Sequence, residues 1–150
     1  MARLLSLDGG ARGAVLFGEA GVGKTRLVAE AVAALEAGGT AVEWVRATEA
    51  AREIPLGSFA HVLDRGDDAH HTDDLLHLAL SRLQARAGGE RPFVLAIDDA
   101  HLLDPVSIAL VHLAVTQSPI RVVMSARTGR PPPDGLVALW KDELVERIDV

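Results

Sequence analysis

The sequence predicts a three-layer α/β fold with a mainly parallel sheet flanked by helices. Three observations carry that expectation. Strand-like apolar runs alternate with segments of helical period along the 150 residues. The run Phe93-Val94-Leu95-Ala96-Ile97 is apolar throughout, as in a strand covered on both faces of a parallel sheet. Gly18-Glu19-Ala20-Gly21-Val22-Gly23-Lys24-Thr25 lies between an apolar run and an amphipathic stretch, which is a strand–loop–helix order.

The elements follow in chain order. Ala14-Val15-Leu16-Phe17 predicts the first strand. Leu27, Val28, Ala31, Val32 and Leu35 then form one stripe at helical spacing, closed by Gly38-Gly39, where a helix end favours a left-handed residue. Ala41 to Arg46 predicts a strand near an edge, because Glu43 and Arg46 interrupt its apolar character. Pro55 to Asp64 predicts a short helix. Thr72 to Ala87 predicts an amphipathic helix with Leu76, Ala79, Leu80 and Leu83 on one face and Gly88-Gly89 as its stop. After the buried strand, Asp104-Pro105 opens a very apolar helix, with Asp as plain N-cap and Pro at the first helical position. Arg121 to Ala126 predicts the next strand. Pro131-Pro132-Pro133 makes a rigid connector, Gly135–Lys141 a short helix and Leu144–Val150 a last strand. Trp44 and Trp140 read as packing residues.

Composition sets limits on function. Apolar residues make up 49% of the chain and aromatics 3%, so the core must be aliphatic. With no cysteine, neither disulfides nor thiolate metal sites can form, and a reducing compartment suits the chain. The net charge of −6 and the lack of a basic run argue against a nucleic-acid-binding face within these residues. The N-terminus lacks a signal-peptide pattern. The longest apolar stretch, Ile108 to Val115, is broken by His112 and falls far short of the ~20 residues a membrane helix needs. These features predict a cytoplasmic protein without a membrane segment. The 150 residues read as one domain, and the chain stops on its last strand, so they are expected to be part of a longer protein.

The glycine-rich loop is a complete P-loop, G-x-x-x-x-G-K-[ST], and this composition would produce one by chance about once in a thousand sequences. Gly18, Gly21 and Gly23 allow a tight backbone whose N–H groups point at phosphates, and the following helix adds its positive end. Glu19, Ala20 and Val22 fill the variable positions and contribute backbone contacts, and Arg26, in the first helical turn, completes the expected nucleotide-binding set. Lys24, one of only two lysines, reaches the β- and γ-phosphates, and the Thr25 hydroxyl ligates Mg²⁺. Asp98, at the carboxyl end of the buried strand, is the second metal anchor. Asp99 should leave the strand on the other side and is the candidate to orient or deprotonate the attacking water. Arg127, at the end of the following strand, can sense the γ-phosphate or stabilise its charge, or can be one more surface residue among thirteen arginines. Arg130 reads as surface. His101 reads as a helix-entry or packing residue that could also contact the site. His70-His71 with Asp73-Asp74 and His77 matches no strong metal template.

With Gly18–Thr25 and Val94-Leu95-Ala96-Ile97-Asp98-Asp99-Ala100-His101 both in view, the chain resembles the nucleotide-binding core of large ATP-binding LuxR-type transcriptional regulators. These are signal-transduction ATPases with numerous domains (STAND), related to the AAA+ class. The stretch Phe17 to Leu27 and the run Asp98-Asp99-Ala100-His101 carry the resemblance, and Glu49 to Leu63 adds to it less specifically. The resemblance covers nearly the whole chain. It implies a five-stranded sheet in the order 5-1-4-3-2, Asp98 as the Walker B acid, Asp99 at the catalytic-acid position and Arg127 on the sensor strand. It also implies a switch in which ATP binding drives self-association and slow hydrolysis resets it. In such proteins DNA is bound through a C-terminal helix-turn-helix, outside these residues. Within these 150 residues the sequence shows neither the Gly-Arg-Glu/Asp motif that the resemblance leads one to expect before the first strand nor a segment that reads as the helical lid expected after the sheet.

The expected ligands are therefore ATP or ADP with Mg²⁺. No N-K-x-D guanine motif occurs, which favours adenine. Two other readings remain open. One is a module that binds nucleotide without hydrolysing it or acts as a scaffold. The other is a small-molecule kinase on the same fold, for which no acceptor or lid motif is visible. An ABC-type transporter subunit would require a Leu-Ser-Gly-Gly-Gln signature, which is absent.

Overall fold

The computed structural model describes residues 10–63 and 71–150. Among the described residues five strands form one sheet: β1 (Gly13–Gly18), β2 (Ala41–Arg46), β3 (Phe93–Asp98), β4 (Ile120–Arg127) and β5 (Glu146–Asp149). Their spatial order is β2-β3-β4-β1-β5 and every pairing is parallel, which is the expected 5-1-4-3-2 arrangement. Parallel neighbours need crossover connections, and helices supply them. These are α1 (Lys24–Ala37), α2 (Glu49–Arg52), α3 (Thr72–Ala87), α4 (Pro105–Gln117) and α5 (Asp134–Lys141), with single 3-10 turns at Gly57–Val62 and Ala100–Leu102.

Side-chain alternation along the strands divides the core in two. Ala14, Leu16, Val94, Ala96 and Val123 face α1 and meet Val28, Ala31 and Val32. Val15, Phe17, Leu95, Ile97, Val122 and Met124 face the opposite layer, where Leu83 of α3, Leu110 and Val111 of α4 and Leu139 of α5 close over them. Burial on both sides explains why β1, β3 and β4 are apolar almost throughout. Helix α4 packs against both α3 and α5, so its apolar character extends well round its circumference. The twin glycines after α1 divide their work: Gly38 stays at φ −80 and Gly39 takes the left-handed φ of 92.

Some expectations change. The short helix of Pro55 to Asp64 is a 3-10 segment limited to Gly57–Val62, and residue 64 lies outside the described residues. The last strand is only Glu146–Asp149. Helix α2 was not visible as a periodic stripe; it forms because the Thr48 side chain accepts the Ala51 N–H as an N-cap. Strand β2 does lie at an edge, and Glu43 accepts ion pairs there from His61 at 3.0 Å and Arg86 at 2.5 Å. Trp44, expected as a packing residue, is 42% exposed on that edge strand. Trp140 does pack, edge-on to Phe17 with ring centroids 5.0 Å apart.

Asp104 does more than cap. Its Oδ2 accepts the N–H groups of Val106 and Ser107, both at 3.1 Å, and the Ser107 hydroxyl donates to Oδ1. Oδ2 also accepts the N–H of Leu56 at 3.1 Å. Leu56 has φ 58, a left-handed conformation rare for a branched side chain, and is fully buried. One buried carboxylate thus ties the start of α4 to the turn after α2.

Candidate functional site

The carboxyl ends of β1, β3 and β4 converge on one edge of the sheet, the place where ligands bind in open α/β folds. Gly18 ends β1 and stands in register with Arg127 at the end of β4. The Thr128 N–H donates to the Gly18 carbonyl at 3.0 Å, locking the two strand ends together. The loop then turns through Gly21 at φ 82 and Gly23 at φ 90, values that favour glycine. Gly18 serves for a different reason. A Cβ there would sit 3.0 Å from the Val150 carbonyl and 3.1 Å from Val22 Cγ2, a tight fit that would press both neighbours outward.

Helix α1 starts at the end of this loop with a bare N-terminus. Gly23 at its N-cap offers no side-chain acceptor, and the first turn carries no acidic residue. The helix therefore leaves its free N–H groups and positive dipole end to whatever occupies the loop. Lys24 is only 6% exposed, and its Nζ donates to the Glu19 carbonyl at 2.6 Å, folded back across the loop. A buried ammonium beside uncompensated amides makes a concentrated positive site suited to phosphates. Arg26 lines the same hollow, but its guanidinium turns to Glu30 at 2.8 Å and is largely exposed.

Asp98 closes the site from below. It is 5% exposed, and its Oδ1 accepts the Thr25 hydroxyl at 2.9 Å. Strand alternation does not govern Asp99, because β3 ends at Asp98 and Asp99 takes a left-handed φ of 55. That turn brings the Asp99 carboxylate to Arg127, whose Nε donates to it at 3.2 Å. Asp99 and Arg127 line a hollow of about 460 Å³ together with Gly21, Gly23, Lys24 and Thr25. Arg127 also borders a larger cleft of about 770 Å³ with Ala20, Glu49, Arg52, His101 and Arg130.

Sequence reasoning missed Ser125 and underweighted His101. The Ser125 hydroxyl donates to Asp98 Oδ1 at 2.6 Å and accepts the Asp99 N–H at 2.9 Å. A single serine in the apolar strand β4 gives no signal of this in sequence. His101 Nδ1 accepts the Arg127 N–H at 3.3 Å and lies 3.9 Å from Asp99 Oδ1. Accepting at Nδ1 leaves the ring proton on Nε2. Burial lowers the His101 pKa below its ordinary 6.5; Asp99 pulls it up, and Arg127 and Lys24 push it down. The notable Asp98-x-x-His101 spacing carries a signal that could have placed His101 here.

The donor set fits Mg²⁺. Thr25 and Asp98 offer hard oxygens in contact with each other, beside the hollow lined by the buried Lys24. The second possible metal group falls partly outside the described residues at His70; His77 Nδ1 contacts the Asp73 carbonyl at 2.8 Å. Among the described residues, no helix is long and apolar enough to cross a membrane.

The parallel sheet, the glycine loop at the end of β1 and the acid at the end of β3 define the P-loop nucleotide-binding fold. The chain belongs to the AAA ATPase domain family, matching it over residues 2–124. Among solved structures it is similar to the Orc1 protein of Aeropyrum pernix, determined in complex with DNA. The identity is 17% and the TM-score 0.60, over 91% of this chain and 38% of that one. It is also similar to the Orc2 protein of Aeropyrum pernix in ADPNP and ADP complexes, at 13% identity and TM-score 0.56, over 99% of this chain and 44% of that one. A third likeness is to the RuvB Holliday junction branch migration motor of Thermotoga maritima, at 18% identity and TM-score 0.51, over 91% and 37%. The chain spans about two fifths of the length of these proteins. No curated protein matches the sequence.

Proposed function

We propose that this domain binds ATP with Mg²⁺, hydrolyses it slowly, and so switches the conformation of a signal-responsive bacterial transcriptional regulator of the LuxR type. The observation that carries the nucleotide reading is the Thr25–Asp98 contact, 2.9 Å long, beside a helix N-terminus without a side-chain cap. Membership in the AAA ATPase domain family supports it. The regulator context rests on the sequence resemblance around Phe17–Leu27 and Asp98–His101.

Each residue has a role in this reading. The backbone of Gly18 to Lys24 and the first turn of α1 cradle the phosphates, with Glu19, Ala20 and Val22 contributing main-chain groups only. Lys24 leaves the Glu19 carbonyl for a phosphate oxygen. Thr25 and Asp98 would hold Mg²⁺, which would supply neutralisation of phosphate charge. Asp99 accepts the proton of the attacking water, and Arg127 turns from Asp99 to the γ-phosphate. ATP-driven self-association, and DNA contact through a domain outside these residues, complete the proposal.

One contact favours a second reading. The Asp99 carboxylate is engaged by Arg127 at 3.2 Å, as suits a module that binds nucleotide and does not turn it over. Substitution Asp99→Asn separates the two. The hydrolytic reading expects steady-state turnover to fall about a hundredfold with ATP affinity kept. Turnover equal to wild type removes Asp99 from the chemistry, and a wild type that binds ATP without turning it over establishes the second reading.

A further inference from the structure

Ser125 lies in the middle layer of the molecule, 1% exposed, on the strand next to β3. Its single hydroxyl proton goes to Asp98 Oδ1 at 2.6 Å, and its lone pair takes the Asp99 N–H at 2.9 Å. Both acids of the site are therefore fixed by one side chain from another strand. The two bonds act differently. The first sets the rotation of the Asp98 carboxylate, whose same oxygen accepts Thr25 at 2.9 Å. The second satisfies the first N–H beyond β3, exactly where the chain leaves the ladder and enters a left-handed turn at φ 55. A non-glycine residue in that conformation is uncommon and needs its surroundings to hold it. The turn in turn aims Asp99 at Arg127, 3.2 Å away.

We propose that Ser125 is a positioning residue that couples the metal-holding carboxylate of Asp98 to the left-handed turn presenting Asp99. The inference rests on the Mg-nucleotide reading of the site. Alanine at this position would keep the strand and its packing while leaving the Asp98 oxygen with one donor fewer and the partly buried Asp99 N–H without its acceptor. A hydrogen bond to a charged group matters more than one between neutral groups. Threonine would restore the hydroxyl within the same strand.

The test is calorimetric titration with ATP in Mg²⁺ and in EDTA, for wild type, Ser125→Ala, Ser125→Thr, Asp98→Asn and the double variant Ser125→Ala/Asp98→Asn. Steady-state turnover is measured alongside. The proposal expects Ser125→Ala to bind ATP in EDTA like wild type but to lose about tenfold of the strengthening that Mg²⁺ confers. It expects kcat to fall more than KM changes, and Ser125→Thr to recover most of both. Because the effect passes through Asp98, Ser125→Ala should add little to the Mg²⁺ effect in the Asp98→Asn background. Wild-type Mg²⁺ dependence in Ser125→Ala, or a full additive loss in the double variant, overturns the positioning role while leaving the nucleotide reading intact. If Ser125→Ala does not fold, failure of Ser125→Thr to show wild-type Mg²⁺ dependence overturns it. A wild-type chain that binds no ATP in Mg²⁺ overturns both.

Discussion

The Thr25 hydroxyl and the Asp98 carboxylate, 73 residues apart in sequence, meet at 2.9 Å. The contact joins the first turn of α1 to the last residue of β3. It exists because β1 and β3 flank β4 in the sheet, so the helix that follows β1 begins above the end of β3. A hydroxyl and a carboxylate at that point give oxygen donors for a hard cation.

Asp98→Asn is expected to abolish most of the gain in ATP affinity that Mg²⁺ provides and to lower turnover about a hundredfold. Asparagine keeps an acceptor for Thr25 and Ser125, so the thermal midpoint should change little. Titrations with and without EDTA, with a melting curve for each protein, check both halves.

Asp104→Ala is expected to destabilise the fold strongly from a position outside the P-loop. It removes a helix cap and strands the buried N–H of Leu56 and hydroxyl of Ser107. The expected loss is about 3 kcal/mol, roughly 1 kcal/mol from the cap and about 1 kcal/mol from each of the two stranded donors. For a domain of this size that lowers the melting temperature by about 10 °C. Chemical denaturation and calorimetry measure it, and a loss near that of a surface substitution would contradict the bridging role.

His101 makes stability pH-dependent in a definite direction. Its folded pKa lies below the ordinary 6.5, chiefly through burial, opposed by Asp99 and Glu49 and reinforced by Arg127 and Lys24. Between the lowered folded value and 6.5 the unfolded chain binds more protons, so stability rises with pH in that window. The contribution is full above 6.5 and is lost as pH falls toward the folded value. Protonation of Nδ1 would also end its acceptance of the Arg127 N–H. His101→Gln should flatten the stability profile below pH 6.5, as read from denaturant midpoints; an unchanged slope would show that other groups set it.

Arg127→Ala is expected to reduce turnover about tenfold to a thousandfold with a smaller effect on ADP affinity, because its proposed partner is the γ-phosphate. Equal losses for ATP and ADP binding would place the guanidinium elsewhere.

The framework of the molecule was legible where a local pattern and the fold agreed. The apolar stripe of α1, the continuous run of β3 and the helix Thr72–Ala87 all formed where their periodicity placed them. Helix α2 was not legible, since four residues carry no period and depend on the Thr48 cap. Trp44 was misread because hydrophobicity alone does not distinguish a covered face from an exposed edge. Within the site, the P-loop residues and Asp98 are contiguous motifs, whereas Ser125 meets Asp98 across 27 residues; outside it, Asp104 meets Leu56 across 48. Such pairs are set by strand order and the packing of α4, so the sequence offers no local period to find them.

The hollow above Lys24 and Thr25 is expected to bind a nucleoside triphosphate with Mg²⁺. Calorimetric titration of this chain with Mg-ATP, beside Lys24→Ala, tests it most directly. Wild type should bind saturably and one-to-one, and a folded Lys24→Ala about a hundredfold more weakly. Equal binding by the two proteins, or none by a folded wild type, would contradict it.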